Sequence, residues 1–265
     1  MVINFHCHVF PEAMAKKTID YIISYAGTTA YTDGTVAGLL KDMQENDVKL
    51  SVALSVVTNP NSTWKINEFL SKVGENDGLL PFGGIHPDNG DFEEILDDIV
   101  SRGFKGIKLH PQYQKTDVCD PKYIRIVKAA AERNLIVLFH GGLDVGLPGL
   151  DLSAPSHTAK LLDTVPEAKV VMAHFGGWKQ WDEVERLLVG RNVYFDIATS
   201  LTDDVISPEQ AERIIRNHGS EKILFATDSP WSSTSETIAR VNALDITDED
   251  KENIFHRSAE KLLGL

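Results

Sequence analysis

Cysteine is scarce: Cys7 and Cys119 are the only two in 265 residues. So distant a pair, in a chain too long to need stapling, excludes a disulfide scaffold and reads as two reduced thiols of a cytoplasmic protein. No stretch approaches the roughly 18 apolar residues that a membrane span requires, and residues 1–10 carry no basic region ahead of an apolar one. Neither membrane insertion nor secretion is therefore expected. Basic charge is in deficit too, with 26 Lys and Arg against 39 Asp and Glu and a net charge of -13. That field disfavours nucleic acid and anionic membranes as partners and leaves a small molecule as the expected one, with a homodimer as the default assembly.

What is present suits a packed enzyme. Hydrophobic residues make up 42% and charged residues 25%, enough apolar material for a substantial core. Short β-branched and aromatic runs recur at 2–8, 50–56, 80–86, 106–110, 136–140, 170–174, 193–197 and 223–228. Most are nearly continuous in apolar residues, as strands covered on both faces must be. Amphipathic stretches separate them, among them 92–101, 121–133 with Pro121 at a first helical position, and 208–218 between Ser207 and Gly219. Eight strands with helical crossovers, no repeat and no linker predict an α/β fold, a single (β/α)8 TIM barrel over 1–265. Residues 11–33 exceed a tight loop and are expected to form a helix and loop over the barrel mouth, and the tail from 247 to 265 reads as helical.

Histidine gives the chemical signal. Six of the nine, His6, His8, His86, His110, His140 and His174, stand at or beside the end of a predicted strand, and Asp228 ends the eighth in the same way. In a parallel barrel all strand ends open into one bowl, so side chains remote in sequence converge there. Several imidazoles and a carboxylate in one place suit a divalent transition metal. With a side-chain period of two, His6 and His8 share the inward face while Cys7 points to the helix layer.

Five stretches make this specific: Ile3-Asn4-Phe5-His6-Cys7-His8, residues 103–111 ending in Lys108-Leu109-His110-Pro111, Val137-Leu138-Phe139-His140-Gly141-Gly142, Met172-Ala173-His174-Phe175-Gly176-Gly177, and Ala226-Thr227-Asp228-Ser229-Pro230. In this order they resemble the amidohydrolase superfamily across essentially the whole chain, in particular its aminocarboxymuconate-semialdehyde decarboxylase-like branch of hydrolases and decarboxylases. The resemblance implies His6, His8, His140 and Asp228 as metal ligands, with His110 and His174 as candidate additional ones. It implies one divalent ion, zinc first and manganese or another transition metal next. The site keeps a position for a water whose pKa the ion lowers from about 15.7 towards about 7. His174 then hydrogen-bonds that water or polarises the substrate, and Asp228 shuttles the proton. Lys108 raises the alternative of a binuclear centre bridged by its carboxylated amine, which ranks below the mononuclear one because Lys108 lies two residues deeper than His110.

The other candidates carry weaker signals. His110, Lys108, His86, Trp178 and Trp231 are candidate substrate contacts, His86 being equally readable as a turn residue and the tryptophans as loop packing. Asp196 is a candidate to orient a ligand. His157, His218 and His256 fall in helical stretches, where a solvated or capping role is the default. The expected reaction is attack of metal-bound water or hydroxide on an amide, ester or lactone carbonyl. The rival is non-oxidative decarboxylation of an aromatic or unsaturated acid, for which no arginine stands at a strand end to anchor a carboxylate. A non-catalytic metal- or ligand-binding barrel is the alternative of another class, and the lack of clustered cysteine weighs against a closed structural site.

Overall fold

The computed structural model describes residues 1–202 and 205–265. Among these described residues, nine strand segments run in chain order: β1 Val2–His8, β2 Val48–Leu54, β3 Leu79–Pro81, β4 Gly83–Gly84, β5 Gly106–Leu109, β6 Ile136–Phe139, β7 Lys169–Met172, β8 Tyr194–Asp196 and β9 Ile223–Leu224. Every pairing is parallel and joins neighbours in that order. β3 and β4 are halves of one barrel strand. Pro81 cannot donate a ladder bond, and Phe82 N–H still reaches Ala53 O at 3.0 Å before Gly83 pairs onward with Ile107. The circle closes where Phe5 N–H donates to Phe225 O at 2.8 Å, His8 N–H donates to Ser229 O at 2.6 Å, and Cys7 bridges Ser229. The result is the eight-stranded α/β barrel that the sequence predicts.

Alternation along the strands divides the core. Ile136 and Leu138 of β6 lie inside with Val52, Leu54, Phe82, Val171 and Leu224, whereas Val137 and Phe139 face the helices. Interior packing of branched residues in layers makes this a solid core rather than a pore. The segment 258–263, a helix after the last strand, adds Ala259, Leu262 and Leu263 to that interior cluster. β1 departs from simple alternation. Ile3 and Phe5 belong to the interior and Cys7 to the layer of Leu39, Met43 and Val73, with a register shift between Asn4 and Cys7. Such irregularities re-aim side chains beside active sites, and this one turns His6 and His8 towards the bowl.

The insertion after β1 carries α1, Glu12–Ala26, in which only Ala15 and Ile19 are buried. Its loop returns through Tyr31 N–H to Pro230 O at 2.7 Å. The remaining crossovers are α2 Val36–Glu45, α3 Thr63–Val73, α4 Phe92–Ser101, α5 Pro121–Glu132, α6 Pro155–Thr164, α7 Trp181–Leu187 and α8 Pro208–His218.

His218 corrects the capping default. It is buried, stacks on Phe195 with ring centroids 4.1 Å apart, accepts from Gly190 N–H at 3.1 Å and donates to Val193 O at 2.9 Å. Burial pulls its pKa down to about 4, although the Val193 carbonyl favours the proton. The folded value lies below the ordinary 6.5, so this contribution is complete above pH 6.5 and is lost as pH falls towards 4. The stability gap between wild type and His218→Gln, measured by urea denaturation, is expected to shrink by about 2 kcal/mol between pH 7.5 and pH 5. A pH-independent gap would contradict this role.

Candidate metal centre

His6 sits at the centre of the constellation. Its Nδ1 lies 2.9 Å from Asp196 Oδ2, deep in the barrel. A carboxylate there accepts a hydrogen bond from Nδ1–H and leaves Nε2 with a lone pair, the arrangement by which an acid partner prepares a histidine for metal. Asp196 is itself fixed, since its Oδ1 accepts from His174 N–H and Ala198 N–H, each at 3.0 Å. His6 Nε2, His8 Nε2 and Asp228 Oδ1 then form a triangle with each edge 3.1 Å.

Asp228 Oδ1 is buried with no hydrogen-bond partner, a costly state for a carboxylate oxygen. Two imidazole edges and an orphaned carboxylate oxygen at this spacing suit neighbouring ligands of one ion at metal–ligand lengths of roughly 2.0–2.2 Å. Electrostatics agree. Burial and the Lys108 charge pull the His6 pKa down, yet Asp228 and Asp196 outweigh them and raise it. The same two carboxylates attract a divalent cation, for which a proton on Nε2 is a competitor. His8 is driven down to about 4, chiefly by burial. Asp228 is held well below the carboxylate range because His6 and His8 outweigh its desolvation.

A second pair of ring edges adjoins the triangle. His174 donates from Nδ1 to Ala198 O at 2.9 Å, and His140 donates from Nε2 to Leu143 O at 3.0 Å. Their remaining nitrogens, His174 Nε2 and His140 Nδ1, face each other at 3.0 Å as two acceptors, an arrangement that a shared cation or proton relieves. Burial lowers the pKa of both, most strongly for His140. The His174 ring lies 5.8 Å from that of His6. Both His174 and Asp228 have positive φ, 62° and 59°, which for residues other than glycine stores strain of order 1 kcal/mol and marks functional turns.

The structure distributes the expected residues unevenly. His6, His8 and Asp228 share one ligand-spaced group, while His140 stands in a second with His110 and Asp144. His110 and His140 stack with centroids 4.3 Å apart. Lys108, a candidate substrate contact in the sequence, reaches His6. Its amine donates to His6 Nε2 at 3.1 Å, so the side chain spans the depth that separated it from the rim. Burial lowers its pKa to about 8, against the pull of Asp228, Asp196 and Asp144.

His86 stays in its own turn, with Nδ1 accepting from Asp88 N–H at 3.1 Å. Trp178 packs edge-on to His174 at 5.7 Å and walls the bowl. Trp231 follows in the turn after Asp228, its N–H on Asp228 O at 2.8 Å. Sequence reasoning missed Asp144, whose Oδ2 lies 3.5 Å from His110 Nε2 and 3.9 Å from His140 Nε2. The available signal was a carboxylate four residues past a strand-end histidine. It also missed Tyr113, which packs edge-on to His110 at 4.4 Å.

Comparison with known proteins agrees. The chain matches the amidohydrolase family over residues 3–265. It belongs to that family. No curated protein matches it. Among solved structures, this amidohydrolase aligns over 99% of its length with 98% of a TIM-barrel protein from Bordetella bronchiseptica, at 17% identity and a TM-score of 0.83. A 2,6-dihydroxybenzoate decarboxylase from Rhizobium aligns at 15% identity and a TM-score of 0.73, covering 99% of this chain and 98% of its own. A 5-carboxyvanillate decarboxylase from Novosphingobium aromaticivorans, complexed with manganese and 4-hydroxy-3-methoxy-5-nitrobenzoic acid, aligns at 14% identity and a TM-score of 0.74, covering 100% and 96%. At such identities the likeness establishes the shared barrel. Among the described residues, no helix is long and apolar enough to cross a membrane.

Proposed function

We propose that this amidohydrolase is a metal-dependent hydrolase that adds water to an amide, ester or lactone carbonyl of a small molecule. The observation that carries the reading is the 3.1 Å triangle of His6 Nε2, His8 Nε2 and Asp228 Oδ1 beside the unprotonated edges of His140 and His174. His6, His8 and Asp228 would hold one divalent ion, zinc first and manganese second, with His140 as the fourth protein ligand. Such an ion supplies Lewis acidity that activates a water and polarises a carbonyl.

The chain's own groups do the rest. Asp196 keeps the His6 proton on Nδ1. The Nδ1–H bond from His174 to Ala198 O leaves Nε2 as an acceptor poised for the proton of the attacking water. His174 would then return that proton to the leaving group, and Asp228, 14% exposed and open to the bowl, would balance the imidazolium that forms meanwhile. Lys108 balances the carboxylates from below, and Trp178 shields one wall.

Charge favours hydrolysis of a neutral carbonyl. The Lys108 charge registers on His6, His8, His110 and His140. Its amine is already engaged with His6, which leaves it less able to seat a substrate carboxylate. One observation favours a second reading, non-oxidative decarboxylation: most of the named enzymes among the structural neighbours are decarboxylases of aromatic acids. Protein purified without chelator, loaded with zinc or manganese, should be assayed on esters, lactones, amides and aromatic carboxylic acids. Carbon dioxide release without hydrolysis would replace the hydrolase by the decarboxylase, and a full metal load with no turnover would leave a metal-binding barrel.

A further inference from the structure

We infer that the bowl selects its substrate by a hydrogen-bond donor, preferably a cationic one, at the wall formed by His110 and His140, and that Asp144 is the residue that reads it. The inference rests on the metal-dependent reading of the bowl and concerns the group of His110, His140 and Asp144.

Asp144 follows β6 in the loop Gly141-Gly142-Leu143-Asp144. Its side chain is 10% exposed, so it is a built part of the wall rather than a solvated rim charge. One oxygen, Oδ1, is used up locally by Gly146 N–H at 2.8 Å. The other, Oδ2, has only the imidazole edges of His110 at 3.5 Å and His140 at 3.9 Å. Both distances exceed the roughly 2.7–2.9 Å of a charge-assisted bond, so Oδ2 retains accepting capacity.

Phenols close the same wall. Tyr25 of α1 and Tyr113 meet hydroxyl to hydroxyl at 2.5 Å, and the Tyr113 ring rests on His110. Gly146 permits this approach: a Cβ there would fall 2.5 Å from Tyr25 Cε2, 2.9 Å from Tyr113 Oη and 3.1 Å from Asp144 Oδ1. The inserted helix thereby brings its aromatic ring down onto the loop that bears Asp144. A carboxylate on this wall, with the bowl's lysine engaged with His6, accepts N–H and O–H groups and repels anions.

The test uses zinc-loaded protein of verified metal content and binding rather than turnover, so that it stands apart from the hydrolase assay. Three phenylhydroxamates, substituted with aminomethyl, carboxamide or carboxylate, are titrated calorimetrically. Wild type should bind the ammonium form tightest and the carboxylate weakest, with about tenfold between them, the scale of one well-placed charge. Asp144→Asn keeps the shape and the Gly146 bond, and should compress the series to within about threefold, the carboxylate gaining and the ammonium losing. An order that survives Asp144→Asn, a carboxylate that binds wild type tightest, or zinc-loaded protein that binds none of the three would overturn the inference. If the predicted order appears but no ester, lactone or amide is hydrolysed, the hydrolase reading fails and the role of Asp144 stands.

Discussion

Replacing Asp228 by Asn is expected to reduce bound divalent metal from near-stoichiometric to trace and to lower turnover by at least about 1,000-fold, the range lost when a catalytic ion's chemistry is removed. The side chain keeps its size, so the effect isolates charge. Asp228 Oδ1 stands 3.1 Å from both His6 Nε2 and His8 Nε2, where an amide brings no negative charge and can present N–H groups to the ring nitrogens. Its charge also helps hold the proton on Lys108, which burial already pulls down to about 8. Elemental analysis of chelator-free protein, alongside turnover, checks the expectation. Metal uptake equal to wild type would remove Asp228 from the ligand set and with it the proposed centre.

His174→Asn is expected to separate binding from chemistry. Metal content should stay within about threefold of wild type while kcat falls by about 100- to 10,000-fold, the range of a positioned acid–base group. The reason is the hydrogen-bond polarity of the ring. Nδ1 is tied to Ala198 O, and burial lowers the pKa despite the pull of Asp228 and Asp196, so Nε2 is presented as a base. Loss of metal in parallel with kcat would instead make His174 a ligand, in keeping with its 3.0 Å approach to His140 Nδ1.

The barrel and its histidines were legible because both rest on periodicity. Near-continuous apolar runs mark strands covered on both faces, and parallel strands deliver their ends to one place. His6, His8 and Asp228 could therefore be placed together before any coordinates. What periodicity does not encode was missed. Asp144 lies in a βα loop, whose path depends on the Gly141-Gly142 turn and on Trp178, which bridges Gly142 across the loop. The reach of Lys108 was not legible because strand register positions the Cα atom, whereas a four-carbon stem carries the amine to His6. His218 was read from its helix, yet its partners Gly190, Val193 and Phe195 come from the neighbouring βα unit. The inward turn of β1 depends on a register shift that no hydrophobic pattern announces.

The seam between β1 and the segment after β9 carries a consequence for biogenesis. Asn4 and Thr227, 223 positions apart, are joined by a 2.8 Å side-chain bond within two residues of His6 and Asp228. Contacts of such sequence separation form late, after most of the loop-closure entropy has been spent. On the ribosome, a nascent chain holds His6 and His8 long before Asp228 is synthesised, so the earliest residues wait for the last strand. Loading with metal would then act as a seal on a finished barrel, and a truncated chain would be left open at both margins and exposed to quality-control proteases.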